Sequence, residues 1–428
     1  METFWAFLIG FSVTLLFVSR YLRTMKLSRA GGGGEAQAPA GPSRPCPRCS
    51  KPVAMDGSFC AGCGAPMALW NVHRAPVQQA TAGSGEKGKP RPSINASVCI
   101  GCGSCVDACP EKGALEVRGG KSTLANPSLC VGHAAWDLSV FLAGFPAEDS
   151  KNEIQRMMEC GGGPAANAAC LLSRWGVGCA LAARVGDDSY GERIAQEHAE
   201  AGTDLTLLRR SAGTPTPVSV ILVNERNGSR TIINRKPPRA SEPLRLSPPP
   251  AWSPPPRVLL FDGHELEASL EAMELFPLAR TILDAGSLRP GTRELARRVD
   301  FLVCSEKFAC AFSRLPDLRT AEHQAAAVGA LHRYNGHPVV ITCGERGVLH
   351  GTGERIERLP ALPVEVRDTT GAGDIFHGAF AYGILEERSW LETLRLATAA
   401  ASLSVAARGG CTSIPSLSQV QEALRHVG

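Results

Sequence analysis

With 428 residues, 44% of them hydrophobic, the chain can bury one large core and carry additional small modules. The formal charge of +4 is spread over the whole length, aromatics make up 6% and no basic face is evident, so nothing points to nucleic acid as a partner. Of the 16 cysteines, eight stand in C-x-x-C type clusters before Pro110 and the others singly. Clustered thiols indicate metal in a reducing compartment, whereas single ones indicate small buried hydrophobes.

Phe4 to Val18 is uncharged and mostly apolar. Extended to Leu22 with Arg20 snorkelling, it approaches the roughly 20 residues that a bilayer helix needs. Arg20, Arg23, Lys26 and Arg29 follow it. By the positive-inside rule, residues 1–29 are expected to form a transmembrane anchor that leaves everything downstream in the cytoplasm. A cleaved signal peptide is the alternative, but it wants positive charge before the apolar run, and only Glu2 is there. Residues 30–45, AGGGGEAQAPAGPSRP, read as a flexible linker.

Cys46, Cys49, Cys60 and Cys63 in CPRCSKPVAMDGSFCAGCGAP form two C-x-x-C knuckles. Four thiolates at that spacing suit one tetrahedral Zn2+, so residues 46–66 are expected to be a small zinc ribbon. A second linker covers 67–92. It leads to VCIGCGSCVDACPEKGALEV with Cys99, Cys102, Cys105 and Cys109. This C-x2-C-x2-C-x3-C-P run resembles the bacterial ferredoxin motif, in which three cysteines hold one [4Fe–4S] cluster and the fourth serves another. The lead-in STLANPSLCVG begins a second such run, but His133 stands where its next cysteine would fall. Residues 93–129 are therefore an incomplete iron–sulfur domain. Either a rearranged cluster recruits Cys130 or Cys160, or the cluster chemistry is lost.

From Cys130 onward a different pattern starts. In LCVGHAAWDLSVFLAGFP, Val131 and Gly132 are expected to end a buried strand, with Asp137 carried just beyond it into a cleft and β character resuming at Leu138. Gly161 to Gly163 then precede the small-residue helix of ECGGGPAANAAC, and VVITCGERGV reads as a buried strand ending at Cys343 and Gly344. Near the end, VRDTTGAGDIFHGAFAYGIL places Gly371, Ala372 and Gly373 at a helix start beside Asp374. Glycines there let backbone N–H groups converge on an anion, and the helix dipole adds partial positive charge. Asp374 is placed to take the proton of an attacking hydroxyl while the amides stabilise a transferring phosphoryl group.

Those ordered landmarks resemble the ribokinase, or PfkB, family of sugar kinases over residues 130–428. The resemblance implies an α/β fold, a ribokinase-like three-layer α/β/α sandwich with a small β-sheet lid. The lid matches VSVILVNERNGSRTIINR, two strands joined by a turn at Asn227-Gly228. It also implies ATP-dependent phosphorylation of a sugar hydroxyl, a ketose or related furanose, with Mg2+. Asp137, Gly162, Gly163 and Asn167 would bind sugar, and Thr342 and Gly344 the nucleotide phosphates. Ser305-Glu306 departs from the family's N-x-x-E, so Glu306 either positions Mg2+ through water or is an ordinary exposed glutamate. Carbonyls near Asp368, Thr370, Gly410 and Ser413 could hold K+, and the lid could support a homodimer.

Two expectations concern leftover residues. The isolated histidines, including His133, His264 and His377, and the single Cys170, Cys179, Cys304, Cys310 and Cys343 read as core or surface filling. The proline triplets around Trp252 read as a surface loop. The two patterns overlap at Cys130–His133, which looks like a junction of two coding segments, natural or arising in sequence assembly. The alternative function is a membrane-anchored iron–sulfur electron-transfer protein whose kinase half is a fusion or an artefact of that junction.

Overall fold

The computed structural model describes residues 43–45, 52–54, 115–118, 121–124, 128–236, 243–246 and 255–427. The chain divides into two units, Met1–Pro90 and Arg91–Gly428. In the first, Ser43–Pro45 pairs antiparallel with Pro52–Ala54. In the second, a hairpin pairs Leu115–Arg118 with Lys121–Leu124 ahead of the main body. The expected anchor at 1–29, the four zinc cysteines Cys46, Cys49, Cys60 and Cys63, and the iron–sulfur cysteines Cys99, Cys102, Cys105 and Cys109 lie outside the described residues. No helix among the described residues is long and apolar enough to cross a membrane.

The main body is built on short strands, those at the centre of the sheet apolar and buried. Its first is β1 (Ser128–Val131), then β2 (Ala135–Leu142) and β3 (Met157–Gly162), helix α1 (Pro164–Arg174), β4 (Cys179–Gly186), α2 (Ser189–Ala201) and β5 (Leu208–Ser211). A hairpin follows, β6 (Val218–Asn224) and β7 (Arg230–Arg235). Strands and helices then alternate: β8 (Val258–Phe261), α3 (Leu266–Leu275), β9 (Arg280–Ala285), α4 (Pro290–Ala296), β10 (Phe301–Ser305), α5 (Glu306–Ser313), α6 (Ala321–Asn335) and β11 (Val339–Thr342). An edge pair, β12 (Val348–Gly351) and β13 (Ile356–Leu359), precedes α7 (Ala372–Leu385), α8 (Trp390–Ser404) and α9 (Leu417–Val427).

Nine strands form one sheet in the order β13-β12-β11-β10-β9-β8-β1-β4-β5, parallel except where β12 pairs with β11 and β13. Alternate residues of the central strands feed two cores. Cys130, Leu260, Ile282, Val303 and Val340 pack with α1, α7 and α8 on one face. Leu129, Phe261, Leu283, Leu302 and Ile341 pack with the helices of the other face. Burial on both sides explains why these strands read as unbroken apolar runs. The chain runs outward from β1 to β4 and β5 on one side and from β8 to β11 on the other. A crevice therefore opens between the carboxyl ends of β1 and β8, where open α/β sheets receive ligands.

A second sheet, ordered β7-β6-β2-β3, forms the lid. Strand β2 carries Asp137 opposite Ser219 of β6 and Cys160 of β3. Several expectations change in detail. The first core strand begins at Ser128, ahead of Cys130, because Ser128 and Leu129 are already buried in the sheet. Asp137 stands inside a lid strand instead of beyond a strand end, since pairing resumes at Ala135. Strand β11 stops at Thr342. Cys170 is more than filling: it forms a disulfide with Cys411, 241 positions away in sequence. Most of the proline-rich stretch lies outside the described residues, and the preceding Leu244 and Leu246 are buried.

Candidate active site

The amino terminus of α7 is shaped by its glycines. Gly371, its N-cap, has φ 74°, and a Cβ there would stand 2.9 Å from Gly410 Cα, so only glycine fits without strain. The first amides of α7 have no intrahelical partners, that of Ala372 donates to the Thr369 carbonyl at 3.4 Å, and Asp374 stands in the same first turn. Asn167 of α1 is buried and donates through Nδ2 to Asp374 Oδ2 at 2.7 Å. Burial, and then the nearby Asp284 carboxyl, raises the Asp374 pKa to about 7. Asp374 is thus a fixed carboxyl poised near neutrality. Asn167, expected from the resemblance to bind sugar, contacts Asp374 and positions it.

The lid brings a second carboxyl to the same region. Asp137 is 6% exposed, and burial raises its pKa to about 7, with Ser219 opposing that shift by a hydrogen bond and Asp374 adding to it. A Cβ on Gly162 would collide with the Asp137 carboxylate, and one on Gly163 with the His133 carbonyl. The glycine pair therefore lets β3 lie against the Asp137 side chain. The hairpin tip joins the arrangement: Thr369 Oγ1 donates to the Gly228 carbonyl at 3.0 Å and accepts from Arg230 Nη1 at 2.6 Å.

Behind these groups lie residues that sequence reasoning passed over. Asp262, directly after β8, accepts amides from His133, Ala165 and His264 at 2.7, 3.2 and 2.9 Å. This ties the ends of β1 and β8 to the start of α1. At the end of β9, Asp284 is buried, and burial raises its pKa to about 8. His377 of α7 sits 3.1 Å from Asp284 Oδ2, with Nδ1 2.6 Å from the Gly373 carbonyl and Nε2 3.1 Å from that of Val303. It fastens α7 across β9 and β10 beneath the amide turn. The available signal was positional: Asp262 and Asp284 each close an apolar parallel strand beside the crevice.

Thr342 and Gly344 fall at the carboxyl end of β11, beside the end of β10, where Ser305 caps α5. Glu306 is not an ordinary exposed side chain. Its carboxylate pairs with Arg346 and accepts the Leu318 amide at 3.2 Å. Its charge is therefore spent within the protein. Asp368 accepts amides from Thr370 and Gly409, both at 2.9 Å, and so ties together the two loops whose carbonyls the resemblance assigned to K+. Among the described residues no group of three or more His, Cys, Asp or Glu side chains is arranged to hold a metal ion.

The profile of the pfkB family of carbohydrate kinases matches residues 126–417. The chain belongs to that family. As a carbohydrate kinase it is similar to the ribokinase of Arabidopsis thaliana, with 27% identity over 310 residues covering 70% of this chain and 82% of the relative. The ribokinase of Haemophilus influenzae is 27% identical over 275 residues, 62% of this chain and 87% of the relative. The solved Arabidopsis ribokinase complexed with ribose and ATP superposes with a TM-score of 0.61 at 26% identity, covering 71% of this chain and 99% of that one. Ribokinase from Thermotoga maritima gives 0.59 at 26%, over 71% and 100%. The fold of this pfkB-family chain is therefore ribokinase-like. A 4Fe–4S binding domain profile matches residues 90–111.

Proposed function

We propose that the chain transfers the γ-phosphoryl group of ATP to a sugar hydroxyl, with Asp374 as the general base. The observation that carries this reading is the pairing of a neutral-range carboxyl with a glycine-opened helix terminus in one turn of α7. Asp374 takes the proton as the hydroxyl attacks, and the amides of Gly371, Ala372 and Gly373 stabilise charge on the phosphoryl group. Asp137, with Gly162 and Gly163 beside it, holds the sugar's hydroxyls under the lid. Thr342 and Gly344 border the nucleotide phosphates. Mg2+ arriving with ATP would offset phosphate charge, and Glu306, already paired with Arg346, would be the side chain to reach it through water. The expected acceptor is a ketose or related furanose. K+ fits beside Asp368, where the buried Thr370 Oγ1 lacks a hydrogen-bond partner.

Asp374→Asn is expected to lower kcat by at least about 10²-fold while the Kd for ATP changes little, because the substitution removes a base and spares the phosphate contacts. Steady-state assays with a sugar panel and a separate nucleotide titration measure both; an active Asn variant rules out the mechanism.

The same proposal extends to the remaining segments. Residues 1–29 are read as a membrane anchor, 46–66 as a zinc ribbon, and 93–129 as a partial iron–sulfur domain joined to the kinase, with cytoplasmic catalysis. The match at 90–111 supports the iron–sulfur part. Ile232 and Ile233, 45% and 57% exposed on β7, support a homodimer through the lid.

A further inference from the structure

The phosphoryl-transfer scheme leaves unused a basic cluster at the switch-point crevice. The rings of His133 and His264 stack with centroids 4.4 Å apart and planes within 10°. Arg289, four residues past β9, meets His264 Nε2 with one guanidinium nitrogen and donates to the Asp262 carbonyl at 3.0 Å with the other. Lys236, just past β7, stands close enough for Arg289 to lower its pKa after the effect of burial.

Two carboxyls are near, Asp262 acting on Lys236 and Asp284 facing Arg289. The Asp262 carboxylate is committed to three backbone amides. Asp284, with a pKa of about 8, is mostly uncharged at neutral pH. Both hydrogen-bond partners of the Arg289 guanidinium are neutral, and its Nε is buried without any partner. Both imidazoles are neutral too, held near a pKa of about 3 chiefly by burial. They serve as hydrogen-bonding groups beside a cation. An arginine kept at a crevice with neutral partners is suited to a planar or tetrahedral oxyanion. The cluster also borders the sugar side: His133 lies on the stretch that leads into Asp137, and its carbonyl accepts the Ala166 amide at 3.3 Å at the start of α1.

We infer that Arg289, Lys236 and the stacked His133–His264 pair bind an anionic substituent of the acceptor, so that the preferred substrate is a sugar carrying a carboxylate, phosphate or sulfonate group. The inference rests on the kinase reading and narrows its substrate class. Asp137 then fixes the hydroxyl-bearing part of the sugar and Arg289 its charged end, which together set the hydroxyl that faces Asp374.

The test compares kcat/KM of the full-length protein on matched neutral and anionic sugars: D-fructose with D-fructose 6-phosphate, D-ribose with D-ribose 1-phosphate, and D-glucose with D-glucuronate. At least one anionic member is expected to exceed its neutral partner by tenfold or more, and Arg289→Gln is expected to cut that ratio at least tenfold through KM. Calorimetric titration of the best anionic sugar without ATP should show binding that Arg289→Gln weakens by a similar factor. Turnover confined to neutral sugars would overturn this inference and leave the kinase reading standing. An Arg289→Gln effect equal on both members of a pair, or confined to the KM for ATP, would overturn it as well. Absence of turnover on every sugar would remove both readings.

Discussion

Three carboxyls with raised pKa values, Asp137, Asp284 and Asp374, give the site its pH behaviour. Each owes the shift first to burial, which disfavours the charged form. A general base works deprotonated, so kcat is expected to rise with pH through about 7, the value for both Asp374 and Asp137, and to level off above it. A pH–rate profile checks this, and a flat profile across the acid side of neutrality contradicts it. Asp284 makes the opposite statement about stability. Its pKa is about 8 in the fold against 3.8 for an unperturbed aspartate. Between those values the unfolded chain releases the proton and the folded chain keeps it, so stability falls as pH rises. Asp284→Asn removes that loss. Its gain over the parent in thermal unfolding should grow from about pH 5 to pH 8, reaching on the order of 1 kcal/mol or more. A constant offset at the two pH values would mean that the carboxyl does not titrate as described.

At the scale of elements, the lid hairpin and the amide turn of α7 form one hydrogen-bonded unit. Gly228 sits at the tip with φ 68°, and its carbonyl takes both the Thr369 hydroxyl and the Thr369 amide, while Arg230 reaches the same hydroxyl. Lid position is thereby coupled to the segment Asp368–Gly373 that precedes Asp374. Arg230→Ala should raise the sugar KM several-fold and increase ATP hydrolysis without sugar, since a looser lid admits water. Coupled-assay measurement of both rates decides it: an unchanged hydrolysis rate would show that the contact is incidental. Gly371→Ala tests the turn itself. The left-handed backbone costs a residue with a Cβ about 1–2 kcal/mol, and that Cβ would press on Gly410. The expected result is a kcat lowered more than tenfold with the far-ultraviolet circular dichroism retained.

For the whole molecule, the kinase body begins at Ser128, so Cys130 is committed to it. Its side chain is buried and lies 3.7 Å from the Cys179 sulfur within the core. Cys160 is buried beside Gly409 and Gly410. Neither can leave the core to complete an iron–sulfur cluster without opening the sheet or the lid. Cys130 and Cys160 are therefore not available as further ligands for a cluster on Cys99, Cys102, Cys105 and Cys109. Metal analysis of the anaerobically purified full-length protein should find zinc held by the first cysteine set, with little iron. A stoichiometric, reducible 4Fe–4S signal in electron paramagnetic resonance would contradict that and restore an electron-transfer role.

Local sequence determined the glycine turn that opens α7, the lid hairpin at Asn227-Gly228 and the alternation of apolar strands with helices, because each depends on backbone freedom or periodicity within a few residues. Tertiary structure alone decided what joins distant parts of the chain. Asn167 reaches Asp374 across 207 positions, and His133 stacks on His264 from another strand end. Cys170 meets Cys411 through the packing of α1 on the last loop. Histidines that look like scattered filler in sequence become neighbours only because β1 and β8, whose register pairs such as Val258 with Ser128 are far apart in sequence, lie side by side. No local pattern records a pairing that the strand order of the sheet creates.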